Sequence, residues 1–388
     1  MDDIDFSNKR IVIRTDYNVP LDSEGKITST TRIDYSLDTL LYIISQNPSS
    51  IIIISHLGRP SGVDPSLSLK PVQKYLEGVL HSPVSLKTLD EYTTPSTSSP
   101  TITLLENIRF YREETENLQS TSSFRQKLNS LCDVYVNDAF GCCHRAHSSI
   151  VGINPPQKCP GLLVTRELKY LQNIFTNRDK SSVYTLILGG SKINDKIRLI
   201  TNLIPKVDNI LIGGGMAFTF LKYLGYPIGK SLFDKEGYEM IPDIIAKAKQ
   251  HSTRLVYPVD FICNKYFANT GDVLYKDLED GVPQDYMGLD IGENTIGNFV
   301  DVLQESDYII WNGPLGVFEF DNFSRGSRKI MEFLGETPAV TIIGGGDTSS
   351  CCQQFKMTDR VSHLSTGGGA SLELLEGKTL PGISHLRL

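Results

Sequence analysis

No apolar run in the chain approaches the roughly 18 residues that a membrane-spanning helix needs. The first residues, Met1 to Ser7, are acidic and carry no secretion-signal core. Cysteine is sparse. Its seven copies are an odd number without framework spacing, which argues against a disulfide scaffold and for a reducing compartment. Positive charge is in deficit, 38 Lys and Arg against 45 Asp and Glu, for a net charge of −7. That balance argues against bulk attraction to nucleic acid or to a membrane surface, and any anion site must arise from local clustering. The GxxxxGK phosphate loop is missing, as are the HRD and DFG set of protein kinases and a GxGxxG fingerprint. No nucleophile–base pair and no metal-ligand spacing stands out.

What is present is an ordinary globular composition, 40% hydrophobic and 21% charged, in 388 residues, enough for two cores. A cytoplasmic protein is the expectation. Strand-like runs alternate with helical stretches: 10–14, 51–55, 101–105 and 133–137 in the first half; 183–188, 208–213, 254–258, 308–311, 340–343 and 361–365 in the second. Runs such as Ile51–Ile54 are apolar without alternation, as in parallel strands covered on both faces. The pattern implies βαβ units and an α/β fold. The residues 165–175 have helical spacing and 177–180 read as a polar turn, which places a boundary near 165–180. Residues 90–100 read as a surface loop.

Ligands of such folds sit beyond the carboxyl ends of the strands. In the second half those ends are glycine-rich: Gly189-Gly190-Ser191-Lys192, Gly213-Gly214-Gly215, Gly344-Gly345-Gly346-Asp347-Thr348 and Gly367-Gly368-Gly369. One such cluster is a tight turn. Several together let backbone approach a bulky anion, next to helix starts that donate N–H groups. Lys192 and Lys196, four apart, are expected to share one helix face and reach one phosphate cluster. Asp347 and Thr348 suit a helix cap; alternatively Asp347 faces Mg²⁺ on nucleotide phosphates. Glu319 suits ribose hydroxyls.

In the first half the strand ends carry basic residues instead: His56, Arg59, Arg109 and Arg145, with Arg32 further on. Singly, each reads as a surface ion pair. Together, on an acidic chain, they read as one basic bowl for a phosphate, since the planar guanidinium binds oxygens in pairs. Asp16 and Asn18 add an acceptor and an amide, and Glu106 and Asp138 are expected to hold the arginines in place.

From Arg10 to Leu380 the chain resembles the phosphoglycerate kinase family. The stretches that carry the resemblance are 14–20 (RTDYNVP), 55–60 (SHLGRP), 105–110 (LENIRF), 136–141 (VNDAFG), 144–147 (HRAH), 189–192 (GGSK), 311–314 (WNGP), 344–348 (GGGDT) and 365–371 (STGGGAS), in that order. The resemblance implies two Rossmann-like domains, each a mostly parallel sheet flanked by helices, joined by an interdomain helix with a cleft between them. It implies a triose domain at 1–164, a helix and hinge at 165–180 with Glu167 at the start of the helix, a nucleotide domain at 181–365 and a C-terminal segment, 366–388, returning to the first domain. The implied activity is reversible phosphoryl transfer from 1,3-bisphosphoglycerate to ADP, giving 3-phosphoglycerate and ATP with Mg²⁺, by a monomer without nucleic-acid or membrane partners.

By the same match Asp16, Tyr17, Asn18, Arg32, His56, Leu57, Gly58, Arg59, Arg109 and Arg145 bind the triose. Gly190, Lys192, Lys196, Gly213, Gly214, Gly288, Leu289, Asn312, Pro314, Glu319, Gly345, Gly346, Asp347 and Thr348 hold the nucleotide, with Asp347 toward the metal. Arg32 and Lys192 are the expected catalytic pair. A non-catalytic metabolite-binding protein on the same fold is the rival; loss of Arg32, Lys192 or Asp347 would favour it, and all three are present. Two departures are visible. The family's Thr-Ala or Ser-Ala before His144 is Cys142-Cys143 here, and its later Gly-Thr is Gly326-Ser327. The bland reading of Cys142 and Cys143 is two reduced, small, partly buried residues filling those positions. The sharper one is that a thiol beside cationic side chains has a lowered pKa, which would make one of the two the fastest-alkylated cysteine, shielded by bound triose.

Overall fold

A computed structural model describes residues 1, 3–93, 101–116, 122–176, 178–179, 181–271 and 273–386. Residues 94–100 of the expected surface loop and 177 and 180 of the expected turn lie outside it, as do the last two residues of the C-terminal segment. The chain divides into two compact units, Met1–Lys169 with Thr379–Leu388, and Tyr170–Lys378.

In chain order the first unit runs β1 (Arg10–Arg14), α1 (Thr31–Ser45), β2 (Ser50–Ile54), α2 (Lys70–Leu80), β3 (Val84–Lys87), β4 (Thr101–Leu105), α3 (Ser123–Ser130), β5 (Val134–Asn137), α4 (Ser148–Val151), β6 (Gln157–Pro160) and α5 (Leu162–Leu171), the last crossing into the second unit. Its strands form a six-stranded sheet in the order β3-β4-β2-β1-β5-β6, all parallel. Period-two geometry sends successive side chains to opposite faces. Ile11, Ile13, Ile51 and Ile53 pack into one core, and Val12, Ile52 and Ile54 into another. The continuous apolar runs are explained by these two cores. The register also aligns the strand ends, with Arg14 opposite both Ile54 and Asn137, so the loops after β1, β2 and β5 leave the sheet together.

The second unit continues with α6 (Asn173–Thr176), β7 (Tyr184–Leu188), α7 (Ile197–Leu203), β8 (Asn209–Ile212), α8 (Gly214–Tyr223), α9 (Lys235–Gln250), β9 (Arg254–Val256), β10 (Asp260–Asn264), β11 (Leu274–Asp277), β12 (Met287–Ile291), α10 (Glu293–Gln304), β13 (Tyr308–Asn312), α11 (Arg325–Leu334), β14 (Val340–Gly344), α12 (Gly346–Gln354), β15 (His363–Leu364) and α13 (Gly369–Leu375). Its six-stranded parallel sheet has the order β15-β14-β13-β7-β8-β9, and β10 to β12 form a separate antiparallel sheet. From β7 the chain moves one way across the large sheet, and from β13 the other. The β7/β13 junction is therefore the switch point where such sheets take ligands. A last helix, α14 (Pro381–Ser384), belongs to the first unit, where the Gly382 N–H donates to the Cys143 carbonyl at 2.9 Å.

Local expectations shift at helix starts. α5 begins at Leu162 rather than 165, because the Asp138 carboxylate accepts from the N–H groups of Leu163 (3.0 Å) and Val164 (3.4 Å). Glu167 consequently lies inside that helix, buried, and not at its start. The spacing read as one helix to 175 is broken at Gln172. The strand expected at 361–365 pairs only over His363–Leu364.

Candidate active site

Basic residues of the first unit gather where β1, β2, β4 and β5 end. The innermost is Arg14, the last residue of β1 and wholly buried. Its Nε donates to Ser149 Oγ at 2.7 Å, and Ser149 in turn donates from Oγ (2.6 Å) and N (2.8 Å) to the buried Glu114 carboxylate. Burial pushes the Glu114 pKa up and Arg14 opposes the shift. The Arg14 Nη2 lies 3.4 Å from His56 Nδ1 and 3.8 Å from Cys142 Sγ. His56 is held neutral, its pKa well below the usual value through burial and then the fields of Arg14, Arg109 and Arg32. His147 is pushed down to about 4 by burial and by Arg109, Arg14 and Arg145. Four guanidinium groups thus act on two neutral imidazoles: a site built to receive negative charge.

Arg32 is paired with Asp16. Arg109 donates from Nη1 to the Gly58 carbonyl at 2.7 Å, and its buried Nε has no hydrogen-bond partner among the described residues. Asn18 Oδ1 accepts from the Gly58 N–H at 2.8 Å. These contacts join Asp16 to Arg32, and Asn18 to Gly58 and Arg109, while His56 meets Arg14 and feels the fields of Arg109 and Arg32. Arg145 is exposed and acts on His147, while Arg59 is exposed and makes none of these contacts.

Several expectations are corrected. The Tyr17 and Leu57 side chains are core residues, Tyr17 receiving the Ser36 hydroxyl at 3.1 Å, so neither side chain is offered to a ligand. Neither Glu106 nor Asp138 holds an arginine. Glu106 accepts from Ser68 Oγ and the N–H groups of Leu69 and Asn107, and Asp138 caps α5. The cysteines run against the charge argument: all seven are buried. Burial pushes Cys142 up to about 12 and Cys143 higher still, because desolvating a thiolate outweighs the nearby cations.

In the second unit a cavity of about 460 Å³ opens beside the β7/β13 switch point. Gly190, Gly214, Gly288, Leu289, Pro314, Glu319 and Asp347 line it, and Phe218, Phe261, Phe267 and Met287 add an apolar wall. The glycines act mainly by letting loops touch. Gly214 has φ +62°, and a Cβ there would lie 2.6 Å from the Gly190 nitrogen and 2.7 Å from the Pro314 carbonyl. A Cβ on Gly288 would strike the Phe218 ring at 2.0 Å. The Gly190 N–H is spent on the Pro314 carbonyl (2.9 Å) and that of Gly214 on Leu315 (3.0 Å). Neither of these two N–H groups is therefore available to an anion. The N-terminus of α12, which begins at Gly346 after Gly345, keeps N–H groups that lack helical partners.

Lys192 and Lys196 do not share a helix face. Lys192 is exposed in coil, and Lys196 ends a 3₁₀ turn (Asn194–Lys196) ahead of α7. Lys196 Nζ donates to Asn312 Oδ1 and to its carbonyl (3.2 Å), and burial lowers its pKa to about 8. Asn312 is buried and fixes the β13–β14 end through the Gly344 carbonyl (3.2 Å). Thr348 Oγ1 accepts from the Gly313 N–H at 2.7 Å and is committed to that loop. A Cβ on Gly213 would meet Leu315, a packing role. Asp347 is exposed in the first turn of α12, and its charge acts on Lys196. One exposed carboxylate lining the cavity fits Mg²⁺, which binds through few carboxylates and completes its shell with substrate oxygens. The Ser327 hydroxyl, at the second departure, accepts from the Leu315 N–H at 3.0 Å.

A family model described as phosphoglycerate kinase matches residues 1–378. The chain belongs to the phosphoglycerate kinase family. Among relatives in this family, a phosphoglycerate kinase of Dictyostelium discoideum is 46% identical over 408 residues, covering 100% of this chain and 97% of the relative. Phosphoglycerate kinase 2 of Equus caballus is 43% identical with the same coverage. The solved structure of phosphoglycerate kinase from Coxiella burnetii superposes with a TM-score of 0.90 at 37% identity, over 100% of this chain and 98% of that one.

Sequence reasoning missed Arg14, Glu114 and Ser149, and the aromatic wall of the cavity. Arg14 was visible as a charged residue closing an apolar strand. Glu114 sits in a short polar stretch with no periodicity, and nothing local marks it as buried.

Proposed function

We propose that the chain catalyses reversible phosphoryl transfer between 1,3-bisphosphoglycerate and ADP, giving 3-phosphoglycerate and ATP, a step of glycolysis and gluconeogenesis. The supporting observation is one anion-receiving arginine site on one unit and one glycine-walled, partly apolar cavity on the other, in a chain of this family. In this reading the triose is bound by Asp16, Asn18, Arg32, His56, Arg59, Arg109 and Arg145, with the backbone of Tyr17, Leu57 and Gly58. The cavity takes the nucleotide, its base against the apolar wall and its ribose toward Glu319. Asp347, with nucleotide phosphate oxygens, would hold Mg²⁺, which supplies charge neutralisation on the transferring group.

The leaving group of the acyl phosphate is a carboxylate, so no proton has to move and no general base is required. Positioning and charge stabilisation carry such transfers. Arg32 from one unit and the exposed Lys192 from the other are the groups assigned to the transferring phosphoryl. Transfer then requires hinge motion that brings the two ligands together and excludes water. The protein is read as a cytoplasmic monomer. Among the described residues no helix is long and apolar enough to cross a membrane.

The test is ATP formation from 1,3-bisphosphoglycerate and ADP, followed in a coupled assay. The parent chain is expected to turn over. Arg32→Ala and Lys192→Ala should each lower kcat by on the order of a hundredfold or more with modest change in KM. A loss confined to KM would reassign both as ground-state binders.

A further inference from the structure

Cys142 is unused by the chemistry above, and it stands where the family usually carries Thr or Ser. The Asp16 carboxylate, the His56 imidazole and the Cys142 thiol each offer a ligand atom, all within 4.8 Å of one another. They come from three strand ends, after β1, β2 and β5, whose register brings them together. Metal–ligand bonds of about 2.0–2.3 Å place the donors of a tetrahedral centre about 3.5 Å apart, so movements of less than an ångström complete the set. We propose that Asp16, His56 and Cys142 form a three-ligand site for a borderline-soft divalent cation of the Zn²⁺ class, with its fourth position open.

Ligand chemistry sets the selectivity. One thiolate, one imidazole and one carboxylate suit Zn²⁺ or Co²⁺, whereas Mg²⁺ takes oxygen donors. His56 is neutral and so has a lone pair to give, once its Nδ1 gives up the Arg14 Nη2 that lies 3.4 Å away. Asp16 pairs with Arg32 through Oδ2, and among the described residues its other oxygen takes only the long 3.3 Å bond from the Asn18 N–H. On binding, the Cys142 S–H bond breaks, its proton leaves to solvent, and the sulfur electron pair forms the metal bond. A cation of charge +2 thus meets two anionic ligands in place of one. The net gain at the site is a single positive charge, which Arg14, Arg32 and Arg109 oppose and Glu114 offsets. If the function proposed above holds, an occupied site excludes the triose, because it takes Asp16 and His56; the binding itself does not depend on that reading.

The probe is Co²⁺ added to the full chain under reducing conditions, followed by optical absorption. The expected result is a near-ultraviolet thiolate-to-cobalt band that saturates at one equivalent, yields to Zn²⁺ and is indifferent to excess Mg²⁺. Cys142→Thr should abolish the band and weaken Co²⁺ by more than about a hundredfold, beyond the 10–100-fold that outer-shell partners cost. Cys351→Ala, in the other vicinal cysteine pair, should leave the band intact. Circular dichroism verifies that each variant is folded, with Cys142→Ser replacing the threonine variant if that one fails to fold. No band in the parent chain, or an undiminished band in the folded Cys142 variant, overturns the site.

Discussion

The two sites are made of different material. The first unit builds its site from side chains, with Arg14, Ser149 and Glu114 forming a buried chain of charge and hydrogen bonds beneath the exposed arginines. The second builds its cavity from backbone, with the loops after β7, β8 and β13 packed so closely that side chains would not fit at Gly190's neighbour Gly214. Charge in the first must be held against burial. Shape in the second must be held against sterics. The two therefore fail in different ways.

The largest effect is expected in the charged site. Glu114→Ala takes from the buried Arg14 the foremost carboxylate partner acting on it, reached through Ser149, and leaves Ser149 without its acceptor. Breaking such a pair costs about 3–5 kcal/mol, read as a lowered midpoint in urea unfolding. A change within experimental scatter would mean that Arg14 is compensated elsewhere. In the backbone-built site, Gly214→Ala forces a Cβ onto a left-handed residue and into two loop backbones, at about 1–3 kcal/mol, together with weaker ADP binding. Gly346→Ala, where a Cβ meets nothing within 4 Å, should be near neutral in stability. Equal effects of the two alanines would remove the steric half of the comparison.

A smaller effect concerns pH. His147 titrates near 4 in the folded chain against 6.5 ordinarily, under Arg109, Arg14 and Arg145, with Glu114 3.9 Å from its Nδ1. Between those values the unfolded chain binds the extra proton. Its contribution to stability is therefore lost as pH falls from about 6.5 towards 4. His147→Gln should lose less stability than the parent over that window in parallel urea titrations. Identical pH dependence would show that His147 is not desolvated as the structure has it.

Much of the architecture was legible because buried parallel strands leave apolar runs such as Ile51–Ile54, and because glycines mark the strand ends. The antiparallel sheet of β10 to β12 was not. Its strands are short, and Asp260, Asn264 and Asp290 interrupt their apolar pattern, although all three are buried with partners. At the sites, residue type was readable and burial was not. Cations near Cys142 suggested a reactive thiol, yet desolvation dominates. Glycines after strands suggested backbone open to an anion, and the N–H groups of Gly190 and Gly214 donate instead to neighbouring loops. Tyr17 lies in a site stretch and points into the core.

The division of labour between the units is tested most directly by calorimetric titration of Arg145→Ala with 3-phosphoglycerate and, separately, with ADP. The Arg145 side chain is exposed, so its loss should spare the fold. The account predicts 3-phosphoglycerate affinity lower by about tenfold or more, in keeping with the loss of a charge-assisted contact worth about 1.5–3 kcal/mol, and ADP affinity unchanged. Equal weakening of both ligands, or weakening of ADP alone, would contradict it.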